Sequence, residues 1–281
     1  MGGGSYNRDD AVYRQQTVYK KKSREEIYNR NFMCPEMDPR HIRIREARDS
    51  EEHPNSYLLC LVLDQTGSMG IIPEILIKEI LPDIVQSIID AGIKDIQVNF
   101  MLVGDCDTGR ELAPLQVGQA ESSDSLMEKW LTSGYLEGLG GGNGFESYSL
   151  AWYFINGHFV TDAWEKRHQK GVIISIGNDS CQRLIKKWSI DRYIGDGAEG
   201  DVSVDDLLPK LQEKWHVFHI HCEGSKWGKT FNSTNWPRLL GVNAVCSYDP
   251  EGRDIKDIIP KLVINAYRNE QVSDDIIDID D

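Results

Sequence analysis

The sequence predicts an α/β protein whose central sheet is mostly parallel. Residues 59–63 are continuously apolar, and 96–103 and 172–176 are largely so, which is typical of strands buried on both faces. Helical patterns alternate with these strands, most clearly over 71–91, where the apolar residues recur at helical spacing. An alternation of strands and helices builds parallel sheets that helices cover on both sides.

The length and charge of the chain limit its class. Its 281 residues can hold one sizeable α/β domain with an extension, and 40% hydrophobic and 27% charged residues are ordinary for a soluble protein. A formal net charge of −14 argues against nucleic acid or an anionic membrane as the main partner. No apolar run reaches transmembrane length, no signal-peptide core opens the chain, and the six cysteines are scattered without a C-x-x-C pair. We therefore expect a cytoplasmic protein.

The first 56 residues differ from the rest of the chain. They contain 11 Lys or Arg and 10 Asp or Glu, a net charge of +1, so the remainder of the chain carries a net charge of −15. Ser23 and Glu26 form a capping-box pattern that predicts a short helix, and three prolines then break any regular element. We interpret 1–56 as an arm that wraps the domain or docks a partner, with a partly disordered tail as the alternative. The domain itself is expected over 57–270, followed by a solvated acidic tail over 271–281.

The spacing of apolar residues, together with residues that typically begin or end helices, predicts the order of helices and strands along the chain. Gly92 is a plausible end of the helix over 71–91, and Ser123 or Asp124 can cap the helix over 122–131. The first half thus contains a strand ending at Asp64, helix 71–91, strand 96–103, a short edge strand 115–117 and helix 122–131. The second half contains helix 147–159, strand 172–176, a loop-rich insertion 183–201, helix 204–214, strand 215–222, a helical turn 236–240, strand 244–248 and helix 254–269.

A polar motif ends the first buried strand. Asp64 follows the apolar run, and Thr66 and Ser68 come at alternate positions after it, so the three side chains can converge. In an open α/β sheet, ligands bind beyond the carboxyl ends of the strands. One carboxylate and two hydroxyls form an oxygen-only set, which suits Mg²⁺, Mn²⁺ or Ca²⁺.

This motif resembles the first motif, D-x-[ST]-x-S, of the metal-ion-dependent adhesion site in von Willebrand factor A (vWA) domains. The resemblance covers about 57–268 and implies a three-layer α/β/α, Rossmann-like fold with one antiparallel edge strand. It also implies that Asp64, Thr66 and Ser68 hold Mg²⁺, with Ca²⁺ or Mn²⁺ possible as substitutes.

Two further segments resemble the later motifs of that site. Residues 138–147 lack the Gly-Lys-Ser/Thr ending of a P-loop, but they resemble the G-G-G-D-x-P-E loop, with Asn143 in place of its Asp. Asn143 can still offer a carbonyl oxygen, and Glu146 keeps the acid. Asp179 follows the buried strand over 172–176, where the family places its third motif. Asp105, at the end of the second strand, is a candidate to hold a metal-bound water, as is Glu146.

Three other interpretations of these residues remain open. The segment around Asp64 also resembles the D-K-T-G-T of transport ATPases and their phosphatase relatives, in which Asp64 would be a phosphoryl-accepting nucleophile. It could equally be an ordinary strand-to-helix turn with a capping Ser. His219 and His221 alternate on one strand face, which suggests zinc, although buried sheet positions also explain them.

The resemblance implies a non-enzymatic, metal-dependent protein-interaction module. The partner would present an acidic side chain that fills an open position on the metal, and neither nucleic acid nor a membrane is expected. Similar cytoplasmic proteins of bacteria act as adaptors of AAA+ ATPases of the MoxR type, which suggests one as partner. The alternatives are a metal-dependent phosphatase-like enzyme and a vWA scaffold whose metal site is vestigial. Asn143 favours the vestigial site, because it replaces an Asp and removes one negative charge.

Overall fold

Twelve β-strands lie in the described part of the chain. The computed structural model describes residues 4–28, 31–67, 69–140, 142–223, 228–249 and 251–277, with side chains up to Glu270. The strands are β1 Arg45–Ala47, β2 Tyr57–Asp64, β3 Ile96–Val103, β4 Leu115–Val117, β5 Phe145–Glu146, β6 Phe159–Thr161, β7 Gly171–Gly177, β8 Ser180–Cys181, β9 Leu184–Ile185, β10 Val202–Ser203, β11 Trp215–Cys222 and β12 Ala244–Ser247.

The helices alternate with these strands along most of the chain. In order they are α1 Arg8–Thr17, α2 Arg24–Ile27, α3 Ile71–Ile75, α4 Leu81–Asp90, α5 Asp124–Thr132, α6 Tyr148–His158, α7 Asp162–Arg167, α8 Lys187–Tyr193, α9 Val204–Gln212, α10 Trp236–Leu240 and α11 Ile255–Ile277. None of the helices in the described part combines the length and the apolar character that crossing a membrane requires.

A six-stranded sheet with the order β12-β11-β7-β2-β3-β4 forms the centre of the described chain. Its strands are parallel except for β4, which pairs antiparallel to β3 at the edge. In the register of the central strands, Asp64 pairs with Val103 and Leu63 pairs with Ile176. The residues that follow β3 and β7 therefore lie beside Asp64 at the carboxyl edge of the sheet.

Alternate residues of β2 enter the two hydrophobic cores. Leu59, Leu61 and Leu63 pack with α3, α4, α5 and α11, whereas Leu58 and Cys60 pack with α6, α8, α9 and α10 on the opposite face. All eight residues of β2 are buried. The predicted three-layer α/β/α architecture with one antiparallel edge strand is confirmed.

Several predicted elements differ from the structure in their extent. The predicted single helix over 71–91 is divided by a wider, π-type turn at Leu76–Ile80, just before Pro82. Pro82 has no N–H to donate to the helix carbonyl one turn earlier, and the wider turn accommodates this gap. The last helix continues to Ile277, beyond its predicted end at 269, and residues 278–281 of the predicted tail lie outside the described residues.

The amino-terminal segment packs on the domain over much of its length. Its α1, which the sequence did not predict, is capped by Asn7 and lies against α4 and α5. Further along, β1 pairs in parallel with β6, and Asp49 forms an ion pair with Arg167. Ser23 donates its backbone N–H to Glu26 at 2.7 Å, as the capping-box pattern predicts.

We expect Arg14→Ala to destabilise the protein by about 1–3 kcal/mol. Arg14 forms ion pairs with Asp124 and Glu128, whose side chains are 9% and 6% exposed, so the substitution leaves two buried carboxylates without their cation. The control is Arg8→Ala, because the side chains of Arg8 and Asp83 are about half exposed and such pairs contribute little. Urea denaturation measures both variants, and equal losses of stability would contradict this role of Arg14.

Candidate metal site at the carboxyl edge of the sheet

Asp64 is fixed at the end of β2 by three hydrogen bonds. Thr66 donates its backbone N–H at 2.8 Å and its hydroxyl at 2.6 Å to Oδ1, and the Tyr148 hydroxyl donates to Oδ2 at 3.2 Å. Asp64 is fully buried, and burial raises its pKa above the usual range, with the negative charge of Asp179 adding to this effect. Asp64 and Thr66 therefore converge as predicted, while the third residue of the motif, Ser68, lies outside the described residues.

The glycine-rich loop lies directly against this first loop. Gly67 donates its N–H to the carbonyl oxygen of Leu139 at 3.0 Å, and a Cβ placed on Gly140 would lie 3.7 Å from the Cβ of Thr66. Asn143 is exposed, donates its amide to Asp105 Oδ2 at 2.9 Å and accepts the backbone N–H of Phe145 at 2.9 Å. The first two predicted motifs thus meet, with Asn143 connected to the candidate metal site through Asp105.

Asp105 connects three loops at this edge. Besides Asn143, it accepts the N–H of Asp107 at 2.8 Å and the side-chain amide of Gln182 at 3.2 Å, both on Oδ1. It is fully buried, and burial raises its pKa. A carboxylate held in this way suits the predicted role of orienting a neighbouring ligand or water rather than moving freely.

Asp179 follows β7 and is half-buried. Its backbone carbonyl accepts the indole N–H of Trp236 at 2.9 Å, which fixes the loop to α10. Burial raises its pKa, while the positive charge of Lys229 acts in the opposite direction. Because Asp179 also raises the pKa of Asp64, the first and third predicted motifs share one electrostatic environment.

Two buried glutamates complete the acidic group. Glu146 and Glu111 are 4% and 1% exposed, and Oε2 of Glu146 and Oε1 of Glu111 have no hydrogen-bond partner among the described residues. Burial raises the pKa of Glu146 strongly, with repulsion from Asp64 and Glu111 adding to it. Burial likewise raises the pKa of Glu111 to about 8. We call Asp64, Asp105, Glu111, Glu146 and Asp179 the acidic cluster.

The acidic cluster fits a divalent cation in its chemistry. Buried carboxyl oxygens without partners are costly, and a cation supplies the positive charge that would stabilise them. Among the described residues, no three Asp, Glu, His or Cys side chains are arranged so that they could hold one metal ion by themselves. The predicted site does not need such a set, because it draws on one or two carboxylates, two hydroxyls and an amide.

Sequence reasoning missed four residues of this region. Tyr148 begins α6, Gln182 follows β8, Glu111 lies in the loop before β4, and Lys229 follows β11. Each reaches the site through tertiary contacts, and none belongs to a motif of recognisable spacing. Two of them are polar and two are charged, and such residues are common in and beside loops. The residue types alone therefore could not predict that these four reach the site.

His219 and His221 are accounted for by packing and hydrogen bonding. The ring of His219 is fully buried and stacks on Trp236 with 3.5 Å between centroids, and His221 Nε2 lies 2.7 Å from the Lys229 carbonyl oxygen. Burial lowers the pKa of both imidazoles, which keeps them neutral. In the part of the chain that the structure describes, they join no group of potential zinc ligands.

We expect Gly177→Ala to disturb Asp64 and to destabilise the protein by roughly 1–3 kcal/mol. A Cβ on Gly177 would overlap the Tyr148 hydroxyl and would lie 2.9 Å from both Cβ and Oδ2 of Asp64. Gly157→Ala in α6 is the matched control, because nothing lies within 4 Å of its added Cβ and alanine favours a helix. Thermal unfolding measures both, and a Gly177→Ala variant as stable as the control would contradict this packing.

The comparisons with known proteins give distant similarities. No protein-family model matches the chain, and no curated protein matches it in sequence. Among solved structures, it is similar to the pilus adhesin SpaC of Lactobacillus rhamnosus GG in its open conformation, with 10% identity over 79% of this chain and a TM-score of 0.49. The chain spans about a third of SpaC, 31% of its length.

A second solved structure is smaller and matches over nearly its whole length. It is an aerotolerance-related membrane protein from Bacteroides fragilis, with 12% identity over 74% of this chain and 98% of that chain, and a TM-score of 0.38. At this distance the similarities carry no argument about family or function. That argument rests on the loops themselves.

Proposed function

We propose that the chain is a non-enzymatic, divalent-cation-dependent protein-interaction module of the vWA class. The observation that carries the proposal is the acidic cluster at the carboxyl edge of the sheet, where Glu111 and Glu146 each keep a buried carboxyl oxygen without a described partner. Asp64 and Thr66 converge beside the glycine-rich loop, in the order that the resemblance implies. This combination supports the proposal that the chain recognises its partner through a cation.

The proposed roles of the residues follow from their positions. Asp64, Thr66 and Ser68 would hold the cation, which is Mg²⁺ in the first instance, and Asn143 and Asp179 would complete its surroundings through water. Asp105 would orient Asn143, to which it is hydrogen-bonded. Bound Mg²⁺ would supply an electrophilic position that accepts a carboxylate of the partner.

The proposed partner is a protein that presents an acidic side chain. A MoxR-type AAA+ ATPase in a bacterial cytoplasm, with this chain as its adaptor, is the more specific proposal, and it rests on the resemblance of the loop motifs alone. The acidic charge of the chain is consistent with a protein partner rather than nucleic acid.

The alternative proposal is an enzyme in which Asp64 is a phosphoryl-accepting nucleophile. The burial of Asp64 and its hydrogen bonds do not separate this role from that of a metal ligand, because both roles need an accessible lone pair on a carboxyl oxygen. An assay of phosphatase activity with and without Mg²⁺ tests this alternative, and Mg²⁺-dependent turnover lost in Asp64→Asn would overturn the non-enzymatic proposal.

The proposed function is tested by affinity capture under matched conditions. Wild type and Asp64→Ala are immobilised and exposed to the same lysate, once in Mg²⁺ and once in EDTA. We expect a set of proteins that wild type retains in Mg²⁺ alone and that Asp64→Ala does not retain. A partner set that is unchanged by EDTA and by the substitution would favour a scaffold with a vestigial metal site.

A further inference from the structure

The ammonium group of Lys229 lies between the two loops that carry Asn143 and Asp179. Its Nζ donates to the backbone carbonyl oxygen of Gly144 at 2.5 Å and to the hydroxyl of Ser180 at 3.4 Å. It also lies 4.5 Å from the centre of the Phe145 ring. All of these contacts belong to the paired strands β5 and β8 and the residue before them, so the ammonium joins the glycine-rich loop to the loop after β7.

The backbone of Lys229 is held on both sides. Its N–H donates to the carbonyl oxygen of Asn178 at 3.1 Å, and its carbonyl oxygen accepts a hydrogen bond from His221 Nε2 at 2.7 Å. A surface lysine usually moves freely, but this one is fixed at the main chain and again at the ammonium. Its position is therefore built into the fold.

Gly144 leaves the space that this ammonium occupies. A Cβ placed on Gly144 would lie 2.5 Å from Nζ of Lys229 and 3.7 Å from Oδ1 of Asp179, and the residue has a φ of +73°. The ammonium and the carboxylate thus both lie close to one glycine. No carboxyl group of the acidic cluster forms an ion pair with a described residue at salt-bridge distance, which leaves Lys229 as a nearby balancing charge.

We propose that Lys229 is a built-in counter-charge that lowers the affinity of the acidic cluster for divalent cations. This inference rests on the proposed function, because it concerns the same site. A fixed positive charge beside Asp179 repels an incoming cation and partly neutralises the carboxylate that would attract it. The site then binds the cation weakly alone, and a partner's carboxylate adds the negative charge that favours binding. Lys229 is a positioning residue of the site and sets its affinity.

The test is isothermal titration of Mg²⁺ into four metal-stripped proteins at low ionic strength. They are wild type, Lys229→Gln, Lys229→Arg and Lys210→Gln. Gln removes the charge and can still donate a hydrogen bond to Gly144, whereas Arg keeps the charge. Lys210 is exposed on α9, at the end that leads into the opposite edge of the sheet, and controls for the change in net charge.

We expect Lys229→Gln to bind Mg²⁺ roughly three- to tenfold more tightly than wild type, and the other two variants to match wild type. If wild type binds Mg²⁺ and Lys229→Gln binds it equally or more weakly, Lys229 only holds the loops and this inference is overturned, while the proposed function stands. If none of the four proteins binds Mg²⁺, the proposed function fails and the inference fails with it. Thermal unfolding confirms that each variant is folded.

Discussion

Asp64→Asn is expected to abolish the Mg²⁺-dependent capture of partners and, at the same time, to stabilise the metal-free protein by about 1–3 kcal/mol. Asp64 is fully buried among other acids, and burial raises its pKa, so its charged form is unfavourable in the fold. Asn keeps the acceptor that Thr66 uses at Oδ1, and the Tyr148 hydroxyl can turn to accept from the amide. Binding and stability should therefore change in opposite directions.

Urea denaturation in EDTA at pH 7.5 measures the stability difference, and capture in Mg²⁺ measures the loss of binding. Asp206→Asn is the control. Asp206 is exposed on α9, so its substitution removes the same charge from the protein surface. A variant at Asp64 that is less stable than wild type, or that captures the wild-type partners, would contradict the account of Asp64 as a buried ligand.

Glu111→Gln is expected to stabilise the metal-free protein by roughly 2–4 kcal/mol at pH 8, and by much less near pH 4.5. Burial raises the pKa of Glu111 to about 8, so the folded state holds a proton that the unfolded state releases from about pH 4.5 upward. The folded state binds more protons across this window, and wild-type stability must fall as the pH rises. Gln removes the titration and keeps an acceptor for the Asp105 N–H, which lies 3.0 Å from Oε2.

Carboxylates with a lowered pKa do not obscure this effect. Ion pairs and hydrogen bonds lower the pKa of Asp49 and Asp162 despite partial burial, so their stabilising contribution is lost only when the solution becomes more acidic than their unfolded pKa of about 4. Denaturation of wild type, Glu111→Gln and the exposed control Glu213→Gln at pH 5 to 8.5 measures the slope. An unchanged slope in Glu111→Gln would show that this carboxyl group is ionised in the folded protein.

The sequence was sufficient for the central sheet because its strands are buried on both faces. An unbroken apolar run makes up most of β2, and β7 is apolar apart from Ser175 and its terminal glycines, which is typical of strands buried on both faces. The convergence of Asp64 and Thr66 could be predicted for the same reason, since a strand end fixes the direction of the residues that follow. Both the central strands and the convergence of Asp64 and Thr66 could therefore be predicted from local sequence.

Elements stabilised by distant contacts were not predictable in this way. Helix α1 has few apolar residues, and ion pairs from Arg14 to Asp124 and Glu128, more than a hundred residues away, hold it in place. Glu111 and Lys229 reach the site from loops without a motif, so their roles appear only when the loops come together. Both residues act on the pKa values of the site's carboxyl groups: the charge of Glu111 raises that of Glu146, and the charge of Lys229 lowers that of Asp179.

Isothermal titration of Mg²⁺ into metal-stripped wild type and Asp64→Asn tests the central claim most directly. We expect single-site binding to wild type that is lost in Asp64→Asn, with capture of the protein partner following the same pattern. Binding that survives the substitution would place the cation elsewhere. Absence of binding to wild type, even with an acidic peptide present as a carboxylate donor, would contradict a cation-dependent interaction module.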